Sequence, residues 1–310
     1  MKVSVLVVTF NQENFIAQAL DSILMQEGNF DYEIVIGEDC SIDKTRDIVI
    51  DYRKRYPDRI RLLLHPKNLG MTKNFVQTYK ACKGEYIAIL EGDDYWTSTR
   101  KLQKQVDFLD ANSDFVICYH NARAVREDAK LPSNLLCPLF QKRESTIEDV
   151  IIGSAVPTLT IMLRNGLITD FPDWYFDLRY GDWTLLMLIA QYGKIGYIKE
   201  PMATYRIHDS GAASSAYTNR ETYTRHILEV IKMYEVVNRH FDFKYNNLIS
   251  KRISHYRNLA ERYKTKGSVS RLEPLMRWSQ TLPALMQVHY GLSSALKLTR
   301  LWFMKVRTRV

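Results

Sequence analysis

Short apolar runs and helix-like segments alternate regularly along the first 120 residues of the chain. The apolar runs have the length of β-strands. In the segment after each run, apolar residues recur every three or four positions, which is the period of an amphipathic helix. The strand-like runs are 3–8, 33–36, 60–64, 87–90 and 115–119. Repeated strand and helix units of this length predict an α/β fold, with a mostly parallel sheet flanked by helices on both faces.

Capping residues predict where several helices begin. Ser41 is a good N-cap, and Ser145 with Glu148 forms the pattern of a capping box. Gly153 would end the helix that this box opens, and Asp182 would open a later one.

The alternation changes after residue 120. Residues 126–142 contain two prolines and many polar side chains, which predicts a long loop serving as a lid or acceptor loop. Strand-like runs return at 158–163 and 194–198, and after residue 210 the pattern is helical to the end of the chain. We therefore predict an α/β domain over residues 1–215 and a basic helical region over residues 216–310.

The length and composition are typical of a globular protein with one good core and a second, smaller unit. Hydrophobic residues make up 46% of the 310 positions, and the charge at pH 7 is +8. The apolar start of the chain is too short for a signal peptide, and no apolar stretch approaches the ~18 residues of a spanning helix. The four cysteines have no paired spacing, which argues against a zinc knuckle or a disulfide framework. A cytoplasmic protein is expected.

Positive charge is concentrated in the last 60 residues. This segment has 13 Lys and Arg against two Glu, and bulky apolar residues such as Trp302 and Phe303 lie among the bases. The combination is typical of a region that lies on an anionic membrane surface. A packed helical cap with solvated bases is the alternative. Nucleic acid is not expected as a partner, because no nucleic-acid-binding motif accompanies the charge.

Three carboxylates follow the fourth apolar run directly. Glu91, Asp93 and Asp94 come after residues 87–90, and ligands gather at the carboxyl ends of parallel strands. Oxygen ligands of this kind suit Mg²⁺ or Mn²⁺, and such an ion commonly shares its shell with substrate phosphates. An acidic turn that closes the strand, with Gly92 as its bend, is the alternative interpretation.

Five short motifs occur in order, each at the end of a predicted strand or the start of a helix. They are Val7-Val8-Thr9-Phe10-Asn11, Glu38-Asp39-Cys40-Ser41-Ile42-Asp43-Lys44-Thr45, Asn68-Leu69-Gly70, Glu91-Gly92-Asp93-Asp94 and Gly181-Asp182-Trp183. In this order they resemble a family 2 glycosyltransferase of the GT-A fold, the type that builds bacterial polysaccharide and lipopolysaccharide. The resemblance covers residues 1 to about 210.

The resemblance implies a nucleotide pocket at the first strand ends. Asp39 matches a carboxylate that accepts the base N–H of the nucleotide, and Thr9 with Asn11 lines the same pocket. Asn68 and Gly70 match a loop near the nucleotide. From the residues alone, Asp39 is equally well a turn residue, and Asn68 and Gly70 are equally well part of an ordinary turn.

The resemblance also implies a divalent cation, Mn²⁺ or Mg²⁺, at the acidic motif. Asp93 is the predicted metal ligand. Glu91 stands where the family has a shorter aspartate and would contact the donor, as would Asp94. Arg206 would act as a cationic clamp on the diphosphate and His208 would lie near the metal, although a lone histidine is commonly structural.

Asp182 matches the general base of the inverting members of the family, and a helix cap is its alternative role. The implied function is transfer of a sugar from a nucleotide-sugar, with UDP as the expected nucleotide, to a hydroxyl of a saccharide or lipid-linked saccharide. The alternative is a non-catalytic protein that binds nucleotide-sugars or assists assembly on the same fold. A sugar nucleotidylyltransferase is disfavoured, because residues 9–11 do not form a glycine-rich phosphate loop.

Overall fold

The described part of the chain forms one mixed sheet with helices on both faces. In the computed structural model the described residues are 1–126, 134–138, 140–153, 156–208 and 220–265. The strands are β1 Val3–Thr9, β2 Tyr32–Glu38, β3 Ile60–Leu64, β4 Tyr86–Glu91, β5 Tyr95–Trp96, β6 Phe115–Arg126, β7 Asn134–Leu135, β8 Glu144–Ser145, β9 Met162–Arg164 and β10 Lys194–Ile207. The helices are α1 Ile16–Leu24, α2 Thr45–Arg55, α3 Met71–Ala81, α4 Lys101–Ala111, α5 Ile147–Ile152, α6 Gly181–Ala190, α7 Arg220–His240 and α8 Asn246–Thr265.

The strand order is β3-β2-β1-β4-β9-β6-β10-β5, with β7 paired to β6 and β8 paired to β10. Strands β1 to β4 pair in parallel, as do β6 and β10. Strand β9 runs antiparallel to both β4 and β6, and β5 is antiparallel to β10. The predicted α/β fold with a mostly parallel sheet is confirmed.

Two hydrophobic clusters cover the two faces of the sheet. Because successive side chains of a strand point to opposite faces, Leu6 belongs to one cluster and its neighbours Val5 and Val7 belong to the other. All three are fully buried. Helices α3, α5, α6, α7 and α8 contribute to the first cluster, and α1, α2 and α4 contribute to the second.

Helices α7 and α8 pack on the α/β core through the first cluster, which contains Ile227, Tyr234 and Ile253 as well as Val150 and Leu186 of α5 and α6. The division into a domain over residues 1–215 and a region over residues 216–310 stays a prediction, because residues 209–219 and 266–310 lie outside the described residues. No helix in the described part of the chain is long and apolar enough to cross a bilayer.

Several predicted boundaries are wrong. Helix α2 begins at Thr45, but its cap position is held by Lys44 and not by the predicted Ser41. Asp43 accepts the Thr45 N–H at 2.9 Å at this helix start. The capping box of α5 is formed by Thr146 and Asp149, one residue later than predicted.

The predicted strand at 158–163 is also wrong, since it divides into a 3-10 turn, Thr158–Thr160, and the short strand β9. Strands β6 and β10 are longer than predicted, because they pair along most of their lengths. In the predicted loop at 126–142, residues 134–135 form β7, while residues 127–133 and 139 lie outside the described residues.

Candidate active site

The predicted site residues lie at the carboxyl edge of the sheet. Strands β1, β2 and β4 end at Thr9, Glu38 and Glu91, and β10 ends at Ile207, one residue before His208. Strand β1 pairs with both β2 and β4, so their ends are adjacent. The structure therefore brings the end of β1, Asp39 and the acidic motif to one edge, as the sequence predicts.

Asp39 is fixed by two backbone donors from the loop before α3. One of its oxygens accepts the N–H of Leu69 at 2.7 Å, and the other accepts the N–H of Gly70 at 3.0 Å. Asn68 holds the same loop, donating to the Asp39 carbonyl at 3.1 Å. Each carboxylate oxygen has a further lone pair, so Asp39 can accept another donor while the loop holds it.

Gly70 has a backbone conformation that only glycine adopts readily, with φ +83° and ψ 157°. A Cβ at this position would meet nothing within 4 Å, so a substitution is opposed by backbone strain rather than by crowding. The Gly70 N–H that binds Asp39 depends on this conformation. Asp39 and Gly70 therefore form one structural unit.

Replacing Gly70 by alanine should destabilise the fold by about 1 to 3 kcal/mol, because of backbone strain. It should also weaken the predicted binding of a nucleotide about 10-fold, because the strained loop releases Asp39. Urea unfolding and calorimetric titration with UDP would measure the two effects. Gly166 is the matched control, since its φ is +82° and its surroundings are equally open. Gly166 follows β9, whose last residue, Arg164, pairs with Tyr86 at the start of β4. Gly166→Ala should therefore lower stability while leaving UDP affinity unchanged. Equal UDP affinity in both variants would refute the coupling.

Thr9 and Asn11 lie beside Asp39, whose N–H donates to the Thr9 carbonyl at 3.1 Å. Their side chains bind neighbouring loops. The Thr9 hydroxyl donates to Gln12 at 2.7 Å, and the Asn11 side-chain oxygen accepts the Ile42 N–H at 2.9 Å. The Asn11 N–H donates to the Ser41 hydroxyl at 3.0 Å, so Ser41 stabilises the loop and does not cap a helix. Direct contact of Thr9 and Asn11 with a nucleotide stays a prediction.

The acidic turn is packed tightly against the end of β1. The Gly92 N–H donates to the Val8 carbonyl at 3.0 Å. A Cβ on Gly92 would lie 2.4 Å from the Gln12 side-chain oxygen and 2.9 Å from the Thr9 hydroxyl, so this close approach requires glycine. Glu91 and Asp93 on either side of it are thereby held at fixed positions.

Two carboxylate oxygens of the turn are buried without a partner among the described residues. They belong to Glu91 and Asp94. The other Asp94 oxygen accepts the Arg206 N–H at 2.8 Å. The Asp93 side chain is 23% exposed and one of its oxygens lies 3.2 Å from Nε2 of His208.

Burial and neighbouring charges raise the pKa of two carboxylates of this turn. Burial raises the pKa of Glu91 well above its ordinary value, and the charges of Asp93 and Asp182 raise it further. Burial likewise raises the pKa of Asp94, with added contributions from Asp93 and Glu91. Grouped acids with unpartnered buried oxygens are costly unless a proton or a cation neutralises them.

These residues fit a divalent cation that is shared with a ligand. Among the described residues no group of three His, Cys, Asp or Glu side chains is arranged to hold a metal ion. Mg²⁺ is commonly bound by only one or two carboxylates together with substrate phosphates, so a complete protein cage is not required. The unpartnered oxygens of Glu91 and Asp94 and the exposed part of Asp93 are of the right chemical type for such an ion.

Arg206 holds the acidic turn through its side chain. The residue is only 7% exposed. Its guanidinium donates to the Asp93 carbonyl at 2.6 Å and to the side-chain oxygen of Gln18. It lies 4.5 Å from the ring centre of Tyr95 and 5.1 Å from that of Phe15. This geometry favours a positioning role, and the clamp on a diphosphate stays a prediction.

Asp182 lies in the first turn of α6, where Tyr180 occupies the cap position. The alternative role of Asp182 as the N-cap is therefore not what the structure has. One Asp182 oxygen accepts the Trp183 N–H at 2.8 Å, and the other accepts the Thr158 hydroxyl at 3.1 Å. Burial raises the pKa of Asp182, and these two hydrogen bonds oppose the rise. Each oxygen keeps a lone pair that can take a proton.

Two side chains of the site were not predicted from the sequence. Burial raises the pKa of Tyr205, and the charges of Asp94, Glu91, Asp93 and Asp182 raise it further. Tyr205 follows Thr204 on β10, and Thr204 pairs with Tyr95, directly after the acidic turn. The adjacency of Tyr205 to Arg206 was the one available signal. Thr158, the partner of Asp182, gave none, because 24 residues separate the two in sequence.

The chain is similar in sequence to several known proteins. The chain aligns with the protein named Rv1520 of Mycobacterium tuberculosis at 34% identity over 227 residues, or 71% of this chain and 63% of that relative's length. It aligns at 28% identity over 226 residues, covering 69% of this chain and 82% of the relative, with the putative teichuronic acid biosynthesis glycosyltransferase TuaG of Bacillus subtilis.

Two solved structures share the fold. The S. aureus TarS fragment 1-349 in complex with UDP-GlcNAc has a TM-score of 0.56 at 22% identity, and the match covers 95% of this chain and 92% of that one. The mannosyltransferase PcManGT of Pyrobaculum calidifontis, in complex with GDP-Man and Mn²⁺, has a TM-score of 0.59 at 15% identity and covers 93% and 85%. The model of glycosyl transferase family 2 matches residues 4–170, more than half of the chain, and the chain therefore belongs to this family.

Proposed function

We propose that this protein is a metal-dependent, inverting glycosyltransferase that moves a sugar from a nucleotide-sugar, with UDP as the nucleotide, to a hydroxyl of a saccharide or lipid-linked saccharide. The observation that carries the proposal is the grouping of four carboxylates, Glu91, Asp93, Asp94 and Asp182. They influence one another electrostatically at the carboxyl edge of the sheet, beside Asp39.

The donor would bind along this edge. Asp39, held by the loop of Asn68 and Gly70, would accept an N–H from the base, and a charged acceptor strengthens such a hydrogen bond. Support comes from the TarS structure with UDP-GlcNAc and from the glycosyltransferase name of TuaG. The proposed donor carries a hexose or an N-acetylhexosamine, and a screen of nucleotide-sugars distinguishes the two.

Asp93 and His208 would hold the Mn²⁺ or Mg²⁺ ion, with Asp94 and Glu91 facing the donor. The bound cation supplies positive charge to the departing diphosphate. Arg206 keeps Asp93 and Asp94 in position through their backbone and carboxylate oxygens. Support for a cation also comes from PcManGT, which carries Mn²⁺ on the same fold.

Asp182 would remove the proton from the acceptor hydroxyl as that oxygen attacks the anomeric carbon. A base on the face opposite the leaving group gives inversion. Thr158 and the Trp183 N–H orient the carboxylate, and each of its oxygens remains able to accept a proton. The raised pKa of Asp182 brings this group closer to working pH, which favours proton transfer.

A screen of nucleotide-sugars with Mn²⁺ and Mg²⁺ tests the proposal. Release of nucleoside diphosphate from one donor, dependent on the cation and faster when the acceptor is present, is the expected result. Binding of a nucleotide-sugar without its turnover, for every donor and saccharide acceptor tried, would instead support the non-catalytic alternative.

The acceptor proposal includes the inner face of the cytoplasmic membrane, where a lipid-linked saccharide would lie. Its basis is the basic, apolar sequence after residue 266, which lies outside the described residues. Deleting residues 281–310 should abolish binding to anionic vesicles in a sedimentation assay and leave donor hydrolysis unchanged. Neutral vesicles are the control. Undiminished binding of the truncated protein to anionic vesicles would exclude this segment as the anchor.

A further inference from the structure

The segment that carries Asp182 is held on one side by helix α7. Oη of Tyr180 and Nδ1 of His226 are hydrogen-bonded, and their rings meet edge to face at 5.2 Å between centres. Lys232, further along α7, donates to the Asp177 carbonyl at 3.1 Å. Helix α7 therefore contacts both the turn before α6 and the residue that caps it.

Tyr180 connects α7 to the first turn of α6. Its carbonyl accepts the Thr184 N–H at 3.1 Å and the Thr184 hydroxyl at 2.8 Å, so Tyr180 determines where α6 begins. Burial raises the pKa of its phenol, and the charge of Asp182 contributes to the rise. Tyr180 thus joins His226, through its phenol, to the first turn of α6, where Asp182 lies.

His226 is built as a fixed, uncharged hydrogen-bond partner. The side chain is 4% exposed, and burial, followed by the nearby charge of Arg179, lowers its pKa to about 4. The imidazole is neutral above that pH, so it can share one hydrogen bond with Tyr180 without bringing a charge close to Asp182. Tyr223, one turn earlier on α7, stacks on it at 6.0 Å between ring centres.

We propose that His226 is a positioning residue for the general base, acting through Tyr180 to hold the first turn of α6 and the Asp182 carboxylate in their working arrangement. The proposal rests on the proposed role of Asp182. The proposal gives helix α7 a part in catalysis, although α7 lies outside residues 4–170, the part of the chain that the family model matches.

A second tyrosine, Tyr175, also holds the first turn of α6 in place. Tyr175 donates from its hydroxyl to the Gly181 carbonyl at 2.8 Å, and its side chain is 1% exposed. The first turn of α6 is therefore held by a buried tyrosine on the α3 side and by the Tyr180–His226 pair on the α7 side. Loss of one of the two anchors should let the turn move without unfolding the helix, whose remaining residues are buried.

The test compares His226→Leu with Tyr180→Phe, the double variant and the full-length wild type. Each single change should lower kcat for transfer about 10- to 100-fold, because small displacements of a catalytic group are costly. The KM for the donor and the affinity for UDP with Mn²⁺ should be unchanged. The double variant should lose no more than either single one, since both remove the same hydrogen bond. His226→Asn, whose amide can donate or accept a hydrogen bond at the place of Nδ1, should recover most of kcat.

His240→Leu is the matched control, because His240 is also on α7 and contacts an aromatic ring, that of Trp174, at 5.2 Å. Its kcat should equal that of the wild type. A wild-type kcat in His226→Leu, or losses that multiply in the double variant, would overturn the proposal.

An Asp182→Asn background separates this proposal from the function itself. If His226 acts through Asp182, adding His226→Leu should leave the residual transfer of Asp182→Asn unchanged. A further loss of that residual rate would refute the positioning role while leaving the base assignment intact. Full transfer by Asp182→Asn alone would instead refute the proposed role of Asp182 as the base, and this inference with it.

Discussion

Replacing Asp182 by asparagine is expected to lower the rate of sugar transfer by about 10²- to 10⁴-fold, the range that a positioned general base contributes. The amide has nearly the same shape and can keep partners in Trp183 and Thr158, but it cannot take the proton of the acceptor hydroxyl. Steady-state transfer of labelled sugar, with the donor identified by the screen, measures the effect. Affinity for UDP and Mn²⁺ should stay within about 3-fold of the wild type, because Asp93, the proposed metal ligand, is unchanged.

Asp173→Asn is the control for this change. Asp173 is an exposed carboxylate in the segment before α6, and its replacement should not alter transfer. Dependence on pH gives a second reading. Because burial raises the pKa of Asp182, the acidic limb of the kcat profile should lie above the ordinary carboxylate range near ~4, with activity lost as the pH falls through that raised value. Full transfer by Asp182→Asn would show that the base lies elsewhere.

The parallel part of the fold was predictable because its strands are buried on both faces. Every residue of β2 is buried, and five of the six residues of β4 are. Such strands appear in the sequence as continuous apolar runs of strand length, and the helices between them have a clear period. The positions of β1 to β4 and of α1 to α4 were therefore found to within a few residues.

The antiparallel additions were not predictable in the same way. Strand β9 has three residues and β5 has two, and each forms because a neighbouring strand offers it hydrogen bonds. A run of three residues has no period to detect. The turn at Thr158–Thr160 was predicted as a strand because its residues are β-branched or apolar, as strand residues commonly are. All three are buried.

The candidate site was also predictable in its local features and not in its long-range contacts. The sequence predicted which strand ends carry acids, since local order along the chain determines that. It did not predict the partners, since Asp39 is held by Gly70, 31 residues later, and the acidic turn by Arg206, more than a hundred residues later. Tyr205 was missed because only the folded sheet pairs β10 with β5, the short strand that follows the acidic turn.

The acidic turn should lower the stability of the metal-free protein and yet be needed for cation-dependent transfer. Asp93 raises the pKa of both Glu91 and Asp94, so its charge destabilises the protein without a cation. Replacing Asp93 by asparagine should therefore leave the Tm of the metal-free protein equal to or above that of the wild type. The same change should lower cation-dependent transfer about 10²- to 10³-fold, because the ligand that would hold the cation at the diphosphate is lost.

Thermal unfolding with and without Mn²⁺ and UDP measures both effects in one experiment. Wild-type protein should gain Tm when both are added, since ligands that bind only the folded state stabilise it. Asp93→Asn should lose most of that gain, whereas Asp58→Asn, an exposed carboxylate in the turn before β3, should keep it. A variant at Asp93 with a lower metal-free Tm and an undiminished response to Mn²⁺ would mean that Asp93 is a structural acid and that the cation, if one binds, has other ligands. A metal-free Tm at or above that of the wild type, with most of the response to Mn²⁺ lost, would mean that a bound cation offsets the repulsion among the carboxylates of the turn.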